Sequence, residues 1–292
     1  MVSRPLLLVA LGVASLATAP SHAALGPATR EWRLVAGKHW QAVTAPGEDP
    51  QVTDAAERNR GGCRPGMIEV KGKMKVTTLG DELQKQCCRR WINRDWPERC
   101  AEFDGDAWRK ASSVLPTRDM RFCIDRFEYP NRKGENPIIL LSFTEGEALC
   151  QAEKKRLCTE DEWTFACEGE EAFPYPYGYI RDPEACVVDR RWRQWWGAWG
   201  ADRASEQTRR ELDHLWQGVP SGSRPRCRSP FGVYDMTGNI DEWTRSTQRG
   251  GHPSIMKGGY WGPVRTRCRP TTRIHGTGHI LYQQGLRCCA DP

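Results

Sequence analysis

Residues 141–169, "LSFTEGEALCQAEKKRLCTEDEWTFACEG", contain two helix starts. Ser142 with Glu145, and Thr159 with Glu162, each set a hydroxyl three residues before a carboxylate. This is the capping-box arrangement, in which both side chains satisfy orphan amides at a helix N-terminus. The spacing predicts helices over 143–154 and 160–168. Around them regular elements are sparse. Upstream, "CRPGMIEVKGKMKV" from Cys63 alternates like a strand broken by Gly and Pro. Downstream come the turns of "PYPYG", a Trp/Arg-rich loop "DRRWRQWWGAWG", a polar helix near 204–216, and short strands from Gly232 onward.

The 292 residues include 28 Gly, 20 Pro and 13 Cys, a composition that points to a loop-rich domain supplemented by disulfides or ions. The chain opens "MVSRPLLLVALGVASLATAPSHA", one Arg and an apolar run ending in the small-x-small site Ser21-His22-Ala23. Residues 1–23 are expected to be a cleavable secretory signal peptide, their apolar run being too short to span a bilayer. Secretion or a periplasmic location follows, so the cysteines are read as disulfides. Thirteen is odd, which leaves at least one free, metal-bound or paired with another chain. The net charge of +6 is spread along the chain among 37 acidic residues. That argues against a concentrated basic face and against nucleic-acid binding.

Residues 24–60 are expected to be a linker of low order, with a short helix conceivable over "TDAAERNR" at 53–60. The domain is placed at 61–290, with a Cys-containing insertion at about 80–115. Cys87, Cys88 and Cys100 in that insertion have no second CxxC or CxxH partner, so a disulfide-tied excursion is favoured over a zinc site. Trp195, Trp196 and Trp199 are expected to fill the core; the other use of such flat rings is a platform for sugars.

Six strings in order then resemble one family: "FCIDRFEYPN" (122–131), "ALCQAEKKRLCTEDEWTFACEG" (148–169), "YPYG", "FGVYDMTGNIDEW" (231–243), "MKGGYWG" and "GLRCC" (285–289). This is the sulfatase-modifying-factor, or formylglycine-generating-enzyme, family. The resemblance implies a C-type-lectin-like α+β domain with little regular structure and many disulfides. It implies a structural Ca²⁺ held by Asp235, Gly238, Ile240 and Glu242, an oxygen set of the kind Ca²⁺ prefers. A second family calcium site is not expected, because Val187 and Val188 stand where an oxygen side chain belongs. It also implies disulfides Cys150–Cys288, Cys123–Cys289 and Cys227–Cys268.

Catalytic members oxidise a substrate cysteine with O₂ at copper(I) held by two cysteines five residues apart after a Gly-Gly pair. In "MKGGYWGPVRTRC" the first of those positions is Pro263 and only Cys268 remains. Tyr260 stands where the family carries Ser, and Asp241 where it carries Trp. One thiolate cannot build the two-sulfur Cu(I) site. A metal site from Cys268, His275 and His279 would suit copper or iron by ligand type, but the glycines of "HGTGH" disfavour the helix that would align the histidines. The expected function is therefore a secreted, Ca-stabilised, non-formylglycine module that binds a protein, peptide or glycan or assists envelope assembly. The alternative is an oxidoreductase on a cysteine or thiol substrate, with Cys268 as its one catalytic candidate.

Overall fold

Both capping boxes form. In a computed structural model, which describes residues 30–44, 62–248 and 250–292, Ser142 and Thr159 accept the backbone N–H of Glu145 and Glu162, whose carboxylates reach back to the cap amides. Along the chain come β1 (Trp32–Val35), β2 (His39–Ala42), β3 (Met67–Lys75), α1 (Gly80–Gln86), β4 (Cys88–Asn93), β5 (Arg99–Phe103) and α2 (Gly105–Ser112). Then follow β6 (Thr117–Asp125), β7 (Ile138–Ile139), α3 (Phe143–Ala152), β8 (Arg156–Leu157), α4 (Glu160–Glu168), α5 (Glu206–Leu215), β9 (Asp241–Arg245), β10 (Ser254–Lys257), β11 (Gln284–Leu286) and β12 (Cys288–Ala290). The architecture is α+β. No helix among the described residues is long and apolar enough to cross a membrane.

An antiparallel sheet in the order β3-β6-β12-β8 carries α4 across it, and β10-β9-β11 forms a second sheet with a parallel β9/β11 pair. Beneath α4, Trp163, Phe165 and Cys167 pack with Val70, Phe122, Ile124, Met236 and Cys289. Trp108, Trp163, Trp243 and Trp261 are all fully buried. Each such ring removes roughly 200 Å² from water, an upper figure of about 5 kcal/mol at ~25 cal/mol/Å². Large aromatics do here what long helices do elsewhere.

Part of the expected linker is structured instead. β1 and β2 form a hairpin whose second strand pairs with β7, with Trp32 and Trp40 buried in the core. Two indoles stabilise strands of four residues, a signal diluted in sequence by the Ala, Pro and Gly around them. The expected signal peptide and the conceivable helix at 53–60 lie outside the described residues.

Cys150 and Cys288 are joined, as are Cys63–Cys123, Cys88–Cys100, Cys158–Cys289, Cys167–Cys268 and Cys186–Cys227. The expected pairs Cys123–Cys289 and Cys227–Cys268 do not form. Cys289 lies opposite Ile124 and Cys123 opposite Ala290, and successive residues on a strand point to opposite faces, so Cys123 and Cys289 face apart. Cys227 sits with Cys186 and Val188, away from the α4 cluster that holds Cys268. The Cys88–Cys100 bond leaves neither sulfur for zinc, and buried Cys87 is the free thiol among the described residues. Burial, with Asp104 nearby, pushes its pKa up and keeps it a thiol.

Peptide mapping under non-reducing conditions should recover these six linked pairs, with Cys87 alkylated only after denaturation. The Cys150–Cys288 bond closes a loop spanning a separation of 138 residues, and loop-closure entropy values it at about 5 kcal/mol. Cys150→Ala with Cys288→Ala should therefore lower unfolding stability by about 2–5 kcal/mol.

Candidate functional site

Two tight turns meet at the centre of the molecule. Gly238 N–H donates to Gly258 O at 3.1 Å, and both glycines have positive φ (81° and 85°). A Cβ on Gly238 would lie 2.3 Å from Val187 O, and one on Gly258 2.9 Å from Met236 O, so only glycine allows the approach. The turns carry the "TGNIDEW" and "KGGYWG" strings onto the edge of β9 and β10.

Four buried charges gather behind them. Arg287 donates Nε to Glu242 Oε2 and Nη2 to Glu242 Oε1, each at 2.8 Å. Its remaining N–H groups meet the carbonyls of Asp125, Arg126 and Tyr234. All five donors of the guanidinium are thereby used. Trp163 Nε1 also donates to Glu242 Oε2 at 2.7 Å, which leaves one of the roughly four acceptor positions of a carboxylate, at Oε1. Asp235 Oδ2 accepts Gly222 N–H, and Glu128 Oε2 accepts Ser221 Oγ and Asn239 Nδ2. Glu128 Oε1 is buried and has no hydrogen-bond partner.

Three carboxylates thus face one guanidinium, and the field shows it. Burial, with neighbouring Glu242, pushes Asp235 up to about 7, and burial with Asp235 and Glu242 holds Glu128 well above the usual carboxylate range. Excess negative charge and an unpartnered oxygen suit a divalent cation. The expected ligands Asp235, Gly238, Ile240 and Glu242 all lie on this turn, with Ile240 fully buried against Gly285. No group of three or more His, Cys, Asp or Glu side chains among the described residues converges as a metal cage would. Backbone carbonyls would have to supply the difference. Val187 and Val188 are buried apolar residues, as their side chains require.

The loop after Gly259 is built as structure. Cys268 is fully buried, bonded to Cys167 of α4, and its N–H donates to Pro174 O at 2.9 Å. That bond removes Cys268 from any metal site shared with His275 and His279. Those rings stack on each other at 3.8 Å, and His279 Nδ1 lies 3.0 Å from Gln284 Nε2. Residues 81–98 grip the same loop. Arg265 lies over Trp96 at 3.9 Å and pairs with Glu98, while Arg267 pairs with Asp81 and donates to Gln84 Oε1.

Between residues 80–98 and the loop lie a pocket of about 120 Å³, lined by Trp96, Asp241, Lys257, Gly259 and Arg265, and beside it a wider groove of about 560 Å³, lined by Asp81, Glu160, Arg265, Arg269 and Arg273. Burial pushes Asp241 up to about 7 despite a bond to Gln283. Tyr260 packs edge-on against Trp261 and Tyr282. Lys257 is fully buried, donates to Arg269 O and Thr271 Oγ1, and sits over Trp163; burial lowers its pKa to about 8 against the pull of Glu160 and Glu168. Sequence reasoning missed Glu128, Lys257 and Arg287. All three stood inside quoted strings, "FCIDRFEYPN", "MKGGYWG" and "GLRCC", but nothing local marks a charge as buried.

A family model described as the sulfatase-modifying factor enzyme 1-like domain matches residues 89–292. The chain belongs to this family. Among curated proteins, inactive C-alpha-formylglycine-generating enzyme 2 of Bos taurus is 28% identical over 167 residues, covering 54% of this chain and 51% of that one. The chain thus spans about half the length of that relative. Formylglycine-generating enzyme of Mycobacterium tuberculosis is 25% identical over 231 residues, covering 68% of each. Among solved structures, CarF aligns at 13% identity and a TM-score of 0.47 over 77% of this chain and 98% of its own. PvdO from Pseudomonas aeruginosa aligns at 15% and 0.45, over 77% and 94%.

Glu242→Gln should lower unfolding stability by about 3–5 kcal/mol, because it takes from buried, charged Arg287 the one carboxylate that is hydrogen-bonded to it. Denaturant unfolding followed by tryptophan fluorescence checks it; a loss below about 1 kcal/mol would mean that the pair is not the central tie.

Proposed function

We propose that this family member is exported and works without formylglycine chemistry, as a calcium-stabilised lectin-like module that binds a protein, peptide or glycan. One observation carries the reading: Cys268, the remaining cysteine of the copper pair, is tied to Cys167 inside the core. Pro263 supplies no thiolate, so the loop offers neither of the two sulfurs that would select Cu(I). The relatives whose name includes "inactive" point the same way. Six disulfides among the described residues, together with the signal-peptide pattern at the N-terminus, support export to an oxidising compartment. An envelope-assembly role belongs to the same class of binding function.

Calcium would be held by Asp235, the carbonyls of Gly238 and Ile240, and the position left at Glu242, with Glu128 next to them. When bound it supplies charge balance to a buried acidic cluster. Asp235 accepts Gly222 N–H, and Arg287 holds Glu242 through two hydrogen bonds.

Two measurements test this. Incubated with copper and a thiol reductant, the protein should leave a Cys-x-Pro-x-Arg peptide unchanged by mass spectrometry, and Pro263→Cys should not restore turnover, since Cys268 stays locked and Tyr260 and Asp241 remain. Copper-dependent aldehyde from the unaltered protein would overturn the reading. Separately, calcium at a hundredfold excess over its Kd should stabilise the fold by about 2.7 kcal/mol. Asp235→Asn should abolish the shift in melting temperature; a chelator that leaves the wild-type melting temperature unchanged removes calcium from the proposal.

A further inference from the structure

The loop "RRWRQWW" ending at Trp196 adjoins the KGGYWG turn, Arg190 N–H donating to Trp261 O, but has no part in the site described so far. Residues 191–196 are all exposed, with Trp192 50%, Trp195 44% and Trp196 50% accessible. Of the three tryptophans expected to fill the core, only Trp199 does. Exposing three indoles within five residues forgoes burial that Trp108, Trp163, Trp243 and Trp261 take fully.

The loop is nevertheless built firmly. Glu211 of α5 is fully buried, and its carboxylate accepts the successive backbone N–H groups of Trp196, Gly197 and Ala198. Gln217 donates to Arg191 O at 2.9 Å, and Arg193 to His214 O at 2.6 Å. The rings lie down on the protein: Trp196 stacks on His214 at 4.4 Å, and Trp195 leans on Trp199 at 5.7 Å. Each therefore keeps one face covered and turns the other outward. Preorganised, flat-lying indoles lose little rotamer freedom when a planar or ring-shaped ligand settles on them.

The charge on the loop completes the picture. Arg191 and Arg193 have no carboxylate partner among the described residues, and neither has Arg190, although Arg181, Arg203, Arg267, Arg269 and Arg287 all do. Flat aromatic faces beside unpaired guanidiniums call for a ligand with apolar ring faces and pendant acid groups. A lipid surface would favour rings projecting edge-first, as interfacial anchors do.

We propose that residues 190–196 form a ledge for an acidic polysaccharide, its pyranose faces on Trp195 and Trp196 and its carboxylates or sulfates on Arg191 and Arg193. This rests on the reading of the protein as a binding module and names the site and ligand class. The test uses the full chain and isothermal titration with polygalacturonate, with its carboxyl-reduced neutral form, polyglutamate, oligo-dT and phosphatidylglycerol vesicles as comparators. Polygalacturonate should bind, and its neutral form at least tenfold more weakly. Trp195→Ala and Trp196→Ala should each weaken it tenfold or more, and Arg191→Gln with Arg193→Gln should do so while flattening the salt dependence, all without changing the melting temperature. The ledge is overturned by absence of polyuronate binding, by equal binding of polyglutamate, by tighter binding of oligo-dT or vesicles, or by polyuronate binding that survives the tryptophan variants. None of these outcomes produces aldehyde from the Cys-x-Pro-x-Arg peptide, so the ledge can fail while the binding-module reading stands, and only aldehyde formation removes both.

Discussion

The Arg287–Glu242 pair gathers at one buried point parts of the chain that ladders and disulfides join elsewhere only two at a time. Glu242 is on β9, Arg287 immediately precedes β12, Trp163 comes from α4, and the three carbonyls that complete the guanidinium come from the end of β6 and from Tyr234. Both sheets, the central helix and the turn at 235 to 240 are therefore fixed through one planar group. Burying two charges costs several kcal/mol per ion, and the pair is tolerable only because every donor finds an acceptor in good geometry. Its value is specificity of arrangement. A loop-rich domain with helices of ten residues or fewer has few long-range backbone ladders to define how its parts meet; a satisfied buried pair, and disulfides that clamp the same strands, supply that definition.

What could be read from the sequence divides by range. The two capping boxes are local chemistry, and α3 and α4 begin at the residues they specify. The strand at "MIEVKGKMK" shows its alternation within nine residues. Pairings over longer range were not legible in the same way. Cys288 and Cys289 are neighbours in sequence, yet the pleat sends one to Cys150 of α3 and the other to Cys158 between β8 and α4. Choosing between them needs the register of β12 against β6 and β8, which no single stretch encodes. The hairpin at Trp32 was hidden for a related reason: its strands are stabilised by distant contacts to β7 and to Trp216 rather than by their own pattern.

The candidate site was legible in part. The turn with Asp235 and Glu242 stands out by residue type, and Pro263 by what it lacks. Its electrostatics were not, because the imbalance of three carboxylates against one guanidinium arises only when Glu128 is brought in from a strand end more than a hundred residues away. Sequence also carries no signal for exposure. Trp195, Trp196 and Trp199 look alike as letters, and the difference is made by Glu211, whose buried carboxylate pins the loop so that the first two rings rest on the surface and the third turns inward.

The loop from Gly259 to Cys268 is held from two sides. A loop that must hold a metal and admit a peptide needs an open face and free sulfurs. With proline at 263 the second sulfur has no metal partner, and in an oxidising compartment a lone thiol is better stabilised in a bond; Cys167 of α4 provides it. Once the loop is anchored from below, its arginines are free to serve as attachment points from above. Trp96, Glu98, Asp81 and Gln84 use Arg265 and Arg267 in this way, narrowing the face beside Gly259 to a pocket of about 120 Å³ next to a wider groove of about 560 Å³. The exposed aromatic and cationic loop at 190–196 is fixed to the same framework, since Arg190 N–H donates to Trp261 O at 2.8 Å and Asp189 N–H to Gly262 O, so the rigidity of the Gly259 loop is passed on to the proposed ledge.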